Sequence, residues 1–151
     1  MDSLRRLLLD RRTIRVGQIV IGLVFATASL SKIGDLPAFA LQVHNFRIAP
    51  VWSENLIAMA LPWVELVAAL SLLLGVRPRA GAVVVTALMA GFTVGVILAM
   101  ARGLDFECGC FGTADHTRVG AIKLLENLAM LGVSLVALRW PVGTGASASA
   151  S

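Results

Sequence analysis

LIAMALPWVELVAALSLLLGV, from Leu56 to Val76, carries a single charged side chain, Glu65, in an otherwise unbroken apolar run. At 1.5 Å of rise per residue, such a run reaches about 30 Å, the hydrocarbon thickness of a bilayer. Three further stretches have this character: Ile14 to Ser31, Ala80 to Ala101 and Val119 to Leu138. The first is the shortest and most polar, with Gln18, Thr27 and Ser29 inside it. The whole chain of 151 residues is 58% hydrophobic and only 15% charged, which a soluble domain of this length does not match. The expected fold is therefore all-α, an integral membrane four-helix bundle over residues 14–140. A basic N-terminus, 1–13, precedes it, and a Gly/Ala/Ser/Thr tail, 141–151, reads as disordered.

Basic residues mark the cytoplasmic side of membrane spans. Arg5, Arg6, Arg11, Arg12 and Arg15 lead into the first span, Arg77 and Arg79 lie between the second and third, and Arg139 follows the fourth. An inside-facing N-terminus thus gathers eight of the thirteen Lys and Arg in the cytoplasm. Lys32, Arg47, Arg102, Arg118 and Lys123 then fall outside. The expectation is a multi-pass protein of the bacterial inner (plasma) membrane, with both termini cytoplasmic. The net charge of +4 needs no nucleic-acid partner, because the arginine cluster serves as a topology signal and an anchor to anionic lipid. Ala26-Thr27-Ala28 resembles a signal-peptidase site, but the residues after it look like the structured end of a span, so an uncleaved chain is expected.

Between the first and second spans lies a connection too long for a turn. Leu36, Phe39, Val43 and Phe46 recur there at helical spacing, with Gln42, His44, Asn45 and Arg47 off the stripe. Asp35 is placed as N-cap, and Pro37 falls in the first turn, where a missing N–H costs nothing. This predicts an amphipathic helix in the first outer loop. Trp52 and Trp140 are expected at headgroup depth on opposite sides. In the third span Ala87, Gly91, Gly95 and Ala99 recur every four residues, a small-residue ridge suited to close helix packing.

Two carboxylates sit inside the spans, where an ionised group costs about 2.5 to 3.5 kcal/mol on insertion scales. Glu65 lies roughly 14 Å along its span, by helical rise, and so near the midplane. Glu126, next to Asn127, lies in the fourth span, where Lys123 at helical spacing can neutralise it. Both carboxylates are expected to face the interior and to be paired or protonated. Glu65, Glu126 and Asn127 form the candidate intramembrane polar site. Pro62, one turn before Glu65, removes a helix hydrogen bond beside it.

The only two cysteines stand one residue apart in Cys108-Gly109-Cys110-Phe111-Gly112, a short loop between apolar runs. Facing an oxidising exterior, such a pair is a redox-active or structural disulfide; two unpaired thiols or half of a metal site are the alternatives. Closure over one residue makes a small ring that is easily reduced, and Gly109 supplies backbone freedom. Asp105 and Glu107 argue the other way, because nearby negative charge disfavours a thiolate and slows its attack. The spacing does not say which sulfur attacks. Cys108, Cys110 and His116 have no recognised metal-ligand spacing, so no metal is assigned. A generator of disulfides that relayed electrons through its own thiols would need a second pair, so the electrons must pass to a bound cofactor, such as a quinone, or to a partner protein.

Ser31-Lys32-Ile33-Gly34-Asp35, Leu61-Pro62-Trp63-Val64-Glu65 with Leu74-Gly75, and the cysteine loop resemble, in this order, the methylamine utilization protein MauE family, within the wider DoxX-like group. The similarity runs from about Val16 to Leu138. It implies a four-helix membrane bundle that helps to mature a disulfide-containing periplasmic enzyme, such as methylamine dehydrogenase, with a thioredoxin-like partner. Cys108 and Cys110 then form the redox-active pair, and Lys32, Asp35, His44 and Trp63 are supporting residues. Two other readings stand beside it: a quinone-reactive subunit that uses Glu65, and a non-catalytic accessory subunit of a larger membrane complex or oligomer that docks through its helix ridge.

Overall fold

A computed structural model describes residues 10–108, 110–111 and 118–138. Arg5, Arg6, Gly109, Asp115, His116, Arg139, Trp140 and the tail lie outside the described residues, and so do the expectations that rest on them. Five helices follow one another: α1 Arg11–Gly34, α2 Leu36–Asn45, α3 Val51–Leu74, α4 Pro78–Ala101 and α5 Ala121–Leu138. All but α2 are long and apolar enough to cross a membrane. Several helices begin before their apolar runs, α1 at Arg11, α3 at Val51 and α4 at Pro78, whereas α5 begins two residues inside its run. Asp10 caps α1 by accepting from the Arg12 N–H, and Pro50 precedes α3.

The four long helices form a ring in which α1 packs on α3, α3 on α4, α4 on α5, and α5 back on α1. Ile21, Phe25, Ala69, Leu72, Val85, Met89 and Ala137 fill its centre. Apolar residues also cover the outside, with Leu23 53%, Val67 67% and Ile122 72% exposed. A surface this apolar on every span is suited to lipid rather than water.

The expected ridge on α4 is only half used. Gly95 and Ala99 are buried, with Gly95 facing Phe46 and Ile48 of the α2–α3 connection, whereas Ala87 and Gly91 are exposed. Close helix approach is made elsewhere. A Cβ on Gly81 of α4 would stand 2.8 Å from the Ala68 carbonyl oxygen of α3, and one on Gly22 of α1 would meet Leu73 at 3.0 Å. Four-residue spacing identifies small residues on one face but not which face meets a neighbour.

Helix α2 begins as expected, since the Asp35 carboxylate accepts from the Ala38 N–H at 3.1 Å and proline stands in the first turn. Its buried face differs from the expected stripe: Phe39 and Gln42 are buried, so Gln42 belongs to the interior side. The helix packs mainly against α3. It therefore lids the bundle, and its polar edge is tied down where His44 Nδ1 meets the Glu54 carboxylate at 2.8 Å. The α2–α3 connection and the cysteine loop are both at this end. Phe46 and Phe106 meet edge to face with centroids 4.8 Å apart, and the Arg102 guanidinium donates to the Arg47 carbonyl oxygen.

Candidate functional site

The inward face of α1 repeats at spacings of three and four through Ile14, Gln18, Ile21, Phe25, Ser29 and Lys32, all buried. Lys32 is thus carried into the bundle instead of extending to water as a lysine near a span end ordinarily does. Its ammonium donates to both Glu65 carboxylate oxygens at 2.8 Å and to the Cys110 carbonyl oxygen at 3.2 Å. The rings of Phe39 and Phe92 lie 4.9 and 5.1 Å from it. Lys32 and Glu65 are each 0% exposed. Glu65 is the fifteenth of the 24 residues of α3, just past the helix centre. In such surroundings a carboxylate and an ammonium are tolerable only together, because either alone leaves an uncompensated buried charge.

Helix α5 supplies the opposite wall. Lys123, Asn127, Ser134 and Ala137 form its buried stripe, at spacings of four, seven and three that keep them on one face. Lys123, fully buried, lies 4.5 Å from the Phe111 ring centroid and donates to Glu126 at 3.1 Å. The Glu126 side chain is itself 45% exposed. This corrects the expectation that Glu126 faces the interior: its neighbours Lys123 and Asn127 take the inward positions, and the carboxylate reaches one of them from the rim. The two lysines counted as outer-loop charges, Lys32 and Lys123, are likewise bundle residues.

Cys108 and Cys110 are joined as a disulfide, with Cα atoms 5.3 Å apart, and are 2% and 5% exposed. They pack with Val96 and, around them, Phe46, Phe92, Val119 and Leu124. The two sides of the loop are pinned together at its base. Glu107 and Arg118 form an isolated antiparallel bridge, the Val119 N–H donates to the Phe106 carbonyl oxygen at 2.9 Å, and Arg118 pairs with Asp105 on the surface. The Asn127 amide nitrogen lies 4.0 Å from Cys110 Sγ, while its amide oxygen is buried without a hydrogen-bond partner.

Glu65, Lys32, the disulfide and Asn127 therefore form one linked polar cluster in an apolar setting. Bond cleavage at the disulfide would release a Cys110 thiolate beside the Asn127 amide donor, which favours the anion. Both contacts fall on Cys110, the amide nitrogen at its sulfur and the Lys32 ammonium at its carbonyl oxygen. Beside the disulfide, a cavity of about 260 Å³ opens between α2, α3 and α4, walled mainly by aromatic and aliphatic side chains. Of the supporting residues, Lys32 is central; Asp35 is a helix cap, His44 pairs on the rim, and Trp63 is 55% exposed on the outer face of α3. Among the described residues no three His, Cys, Asp or Glu side chains group as metal ligands.

The family model for methylamine utilisation protein MauE matches residues 11–140. Over 132 residues the chain is 30% identical to the methylamine utilization protein MauE of Paracoccus denitrificans, covering 86% of this chain and 71% of that one. It is 32% identical over 119 residues to that of Methylorubrum extorquens, covering 78% and 63%, and 29% identical over 126 residues to that of Methylophilus methylotrophus, covering 82% and 66%. No solved structure matches.

Proposed function

Because this chain belongs to the methylamine utilisation protein MauE family, we propose that it exchanges disulfides at the membrane during maturation of an exported enzyme. The names of its relatives point to methylamine utilisation, and the client we propose resembles methylamine dehydrogenase. The relatives are longer proteins, and this chain spans from about three-fifths to seven-tenths of those it matches. The observation that carries the proposal is a disulfide made from the only two cysteines, set against buried Lys32, Asn127 and the charge pair.

In the proposed step, a thiolate of a thioredoxin-like partner attacks Cys108 Sγ. The intramolecular S–S bond breaks, a mixed disulfide forms, and Cys110 leaves as thiolate. The second partner thiol then attacks the mixed disulfide, which leaves the partner oxidised and both cysteines reduced. The Asn127 amide donor beside Cys110 Sγ makes it the better leaving group, since a stabilised thiolate leaves faster. Both sulfurs are buried, so the partner must displace the side chains that cover Cys108. Basic-residue bias puts the cysteine loop outside the bacterial inner membrane and both termini in the cytoplasm, which gives this exchange an oxidising setting.

Trapping tests the assignment. Cys110→Ser, presented with the oxidised partner, should accumulate a mixed disulfide through Cys108 on non-reducing gels, because the Cys108 thiolate attacks the partner disulfide and no Cys110 thiol remains to displace the partner. Cys108→Ser should trap several-fold less, and both should lose client maturation. A serine variant that matures its client fully, with no trapped species, would leave the loop structural and favour an accessory subunit that docks through exposed Ala87 and Gly91.

A further inference from the structure

We propose that the apolar cavity beside the disulfide binds a lipophilic quinone, which takes the electron pair from the reduced Cys108 and Cys110 thiols. The inference rests on the thiol–disulfide reading above and adds the electron acceptor to it. With two cysteines in the whole chain, no internal second pair can pass the electrons on. Repeated turnover therefore needs an acceptor that reaches these two sulfurs.

The cavity is the place where such an acceptor meets them. Both cysteines line it, together with Phe39, Phe46, Phe92 and Gln42. Its volume of about 260 Å³ falls just below the roughly 300–1,000 Å³ of small-molecule sites, which suits a ring head group with its tail left outside. Aromatic walls suit a flat, apolar ring. Gly91 lines the cavity and is exposed on α4, and nothing lies within 4 Å of the position its Cβ would take. The cavity thus opens on a helix face that is otherwise apolar, which favours a ligand dissolved in the bilayer over one arriving from water.

Gln42 distinguishes a quinone from a lipid tail. The residue is 9% exposed, and its amide oxygen is buried with no hydrogen-bond partner, an arrangement that costs free energy unless something completes it. A hydrocarbon chain offers nothing to an amide. A quinone carbonyl accepts from the amide N–H, and the quinol O–H donates to the amide oxygen. The step balances without another reactant: two S–H bonds break, the S–S bond forms, and two electrons and two protons convert one quinone to one quinol.

The test uses the full-length protein in nanodiscs of unsaturated phospholipid, reduced with dithiothreitol that is then removed under anaerobic conditions. The probe is decylubiquinone, whose fully substituted ring does not add thiols. Expected is the reduction of one quinone per chain, with both thiols lost to maleimide. Gly91→Leu, whose Cβ has no neighbouring atom within 4 Å and which improves helix propensity, should slow this at least about tenfold by filling the opening. Gln42→Leu should raise the half-saturating quinone concentration about three- to tenfold, the effect of one lost neutral hydrogen bond. Thiols that stay reduced, or a wild-type rate no faster than that of Gly91→Leu, would overturn the inference; a lipid-filled cavity gives the former result. If Cys110→Ser still traps its partner while decylubiquinone leaves the thiols reduced, the acceptor assignment fails alone. If nothing is trapped and the thiols also stay reduced, both readings fail.

Discussion

The two ends of the bundle each bury a polar cluster, and they satisfy it by different means. Where α3 ends, the Arg15 guanidinium donates to the carbonyl oxygens of Leu72 and Leu73 at 2.8 and 2.9 Å, and buried Gln18 donates to that of Ala137. These are helix C-terminal carbonyls, which lack intrahelical donors and attract a cation. At the other end, Lys32 is met by a carboxylate and by a cysteine carbonyl, and the amide oxygens of Asn127 and Gln42 go without partners. The first cluster closes on backbone that must be capped in any such fold. The second retains charges and unmet acceptors that folding alone does not require, which points to chemistry.

The sharpest way to break this contrast is to separate Lys32 from Glu65. Lys32→Met or Glu65→Leu alone should lose about 3–5 kcal/mol, as removal of one member of a buried pair does, and should lower protein level in the membrane. The double variant should recover most of the stability yet remain deficient in disulfide exchange. Thermal unfolding in detergent beside a thiol-trapping assay checks both halves. A double variant with normal exchange would make the pair a packing element, like the opposite cluster.

Arg15→Met provides the reciprocal test. It removes a charged donor from two carbonyls and should cost about 1.5–3 kcal/mol, while the rate of disulfide reduction by dithiothreitol stays as in wild type. An altered rate would show that the two ends are coupled. The smallest stability effect is expected for Asn127→Leu, within about 1 kcal/mol, because it also removes an orphaned acceptor. It should nevertheless slow disulfide reduction several-fold by taking a donor from Cys110; an unchanged rate would remove Asn127 from the site.

Spans, the α2 cap and the burial and pairing of Glu65 were legible because they follow from apolar run length, local capping and the cost of a charge in hydrocarbon. Its partner was harder to see. Counted by position, Lys32 lies just beyond the apolar run and looks like a loop charge; counted by face, it continues Ile14, Gln18, Ile21 and Phe25 into the bundle. The same face count carries Lys123 and Asn127 inward and leaves Glu126 at the rim. Glycine contacts failed for a related reason: periodicity named the ridge on α4, but only the neighbouring helix decides that Gly81 touches backbone and Gly91 touches nothing. The cavity had no signature in the sequence, since its walls come from three helices and the cysteine loop.

The contacts of Lys32 also set a schedule for biosynthesis. Its carboxylate partner lies 33 residues later in the chain and its carbonyl partner 78 later. At about 5–20 residues per second of synthesis, the ammonium waits roughly 2–7 s for Glu65 to emerge. During that interval α1 cannot take its final depth without stranding a charge, so it should remain at the insertion channel or sit shallow until α3 arrives. The last acceptor comes only with the cysteine loop, after α4 has been threaded, so the lysine reaches its final surroundings when the loop closes over it.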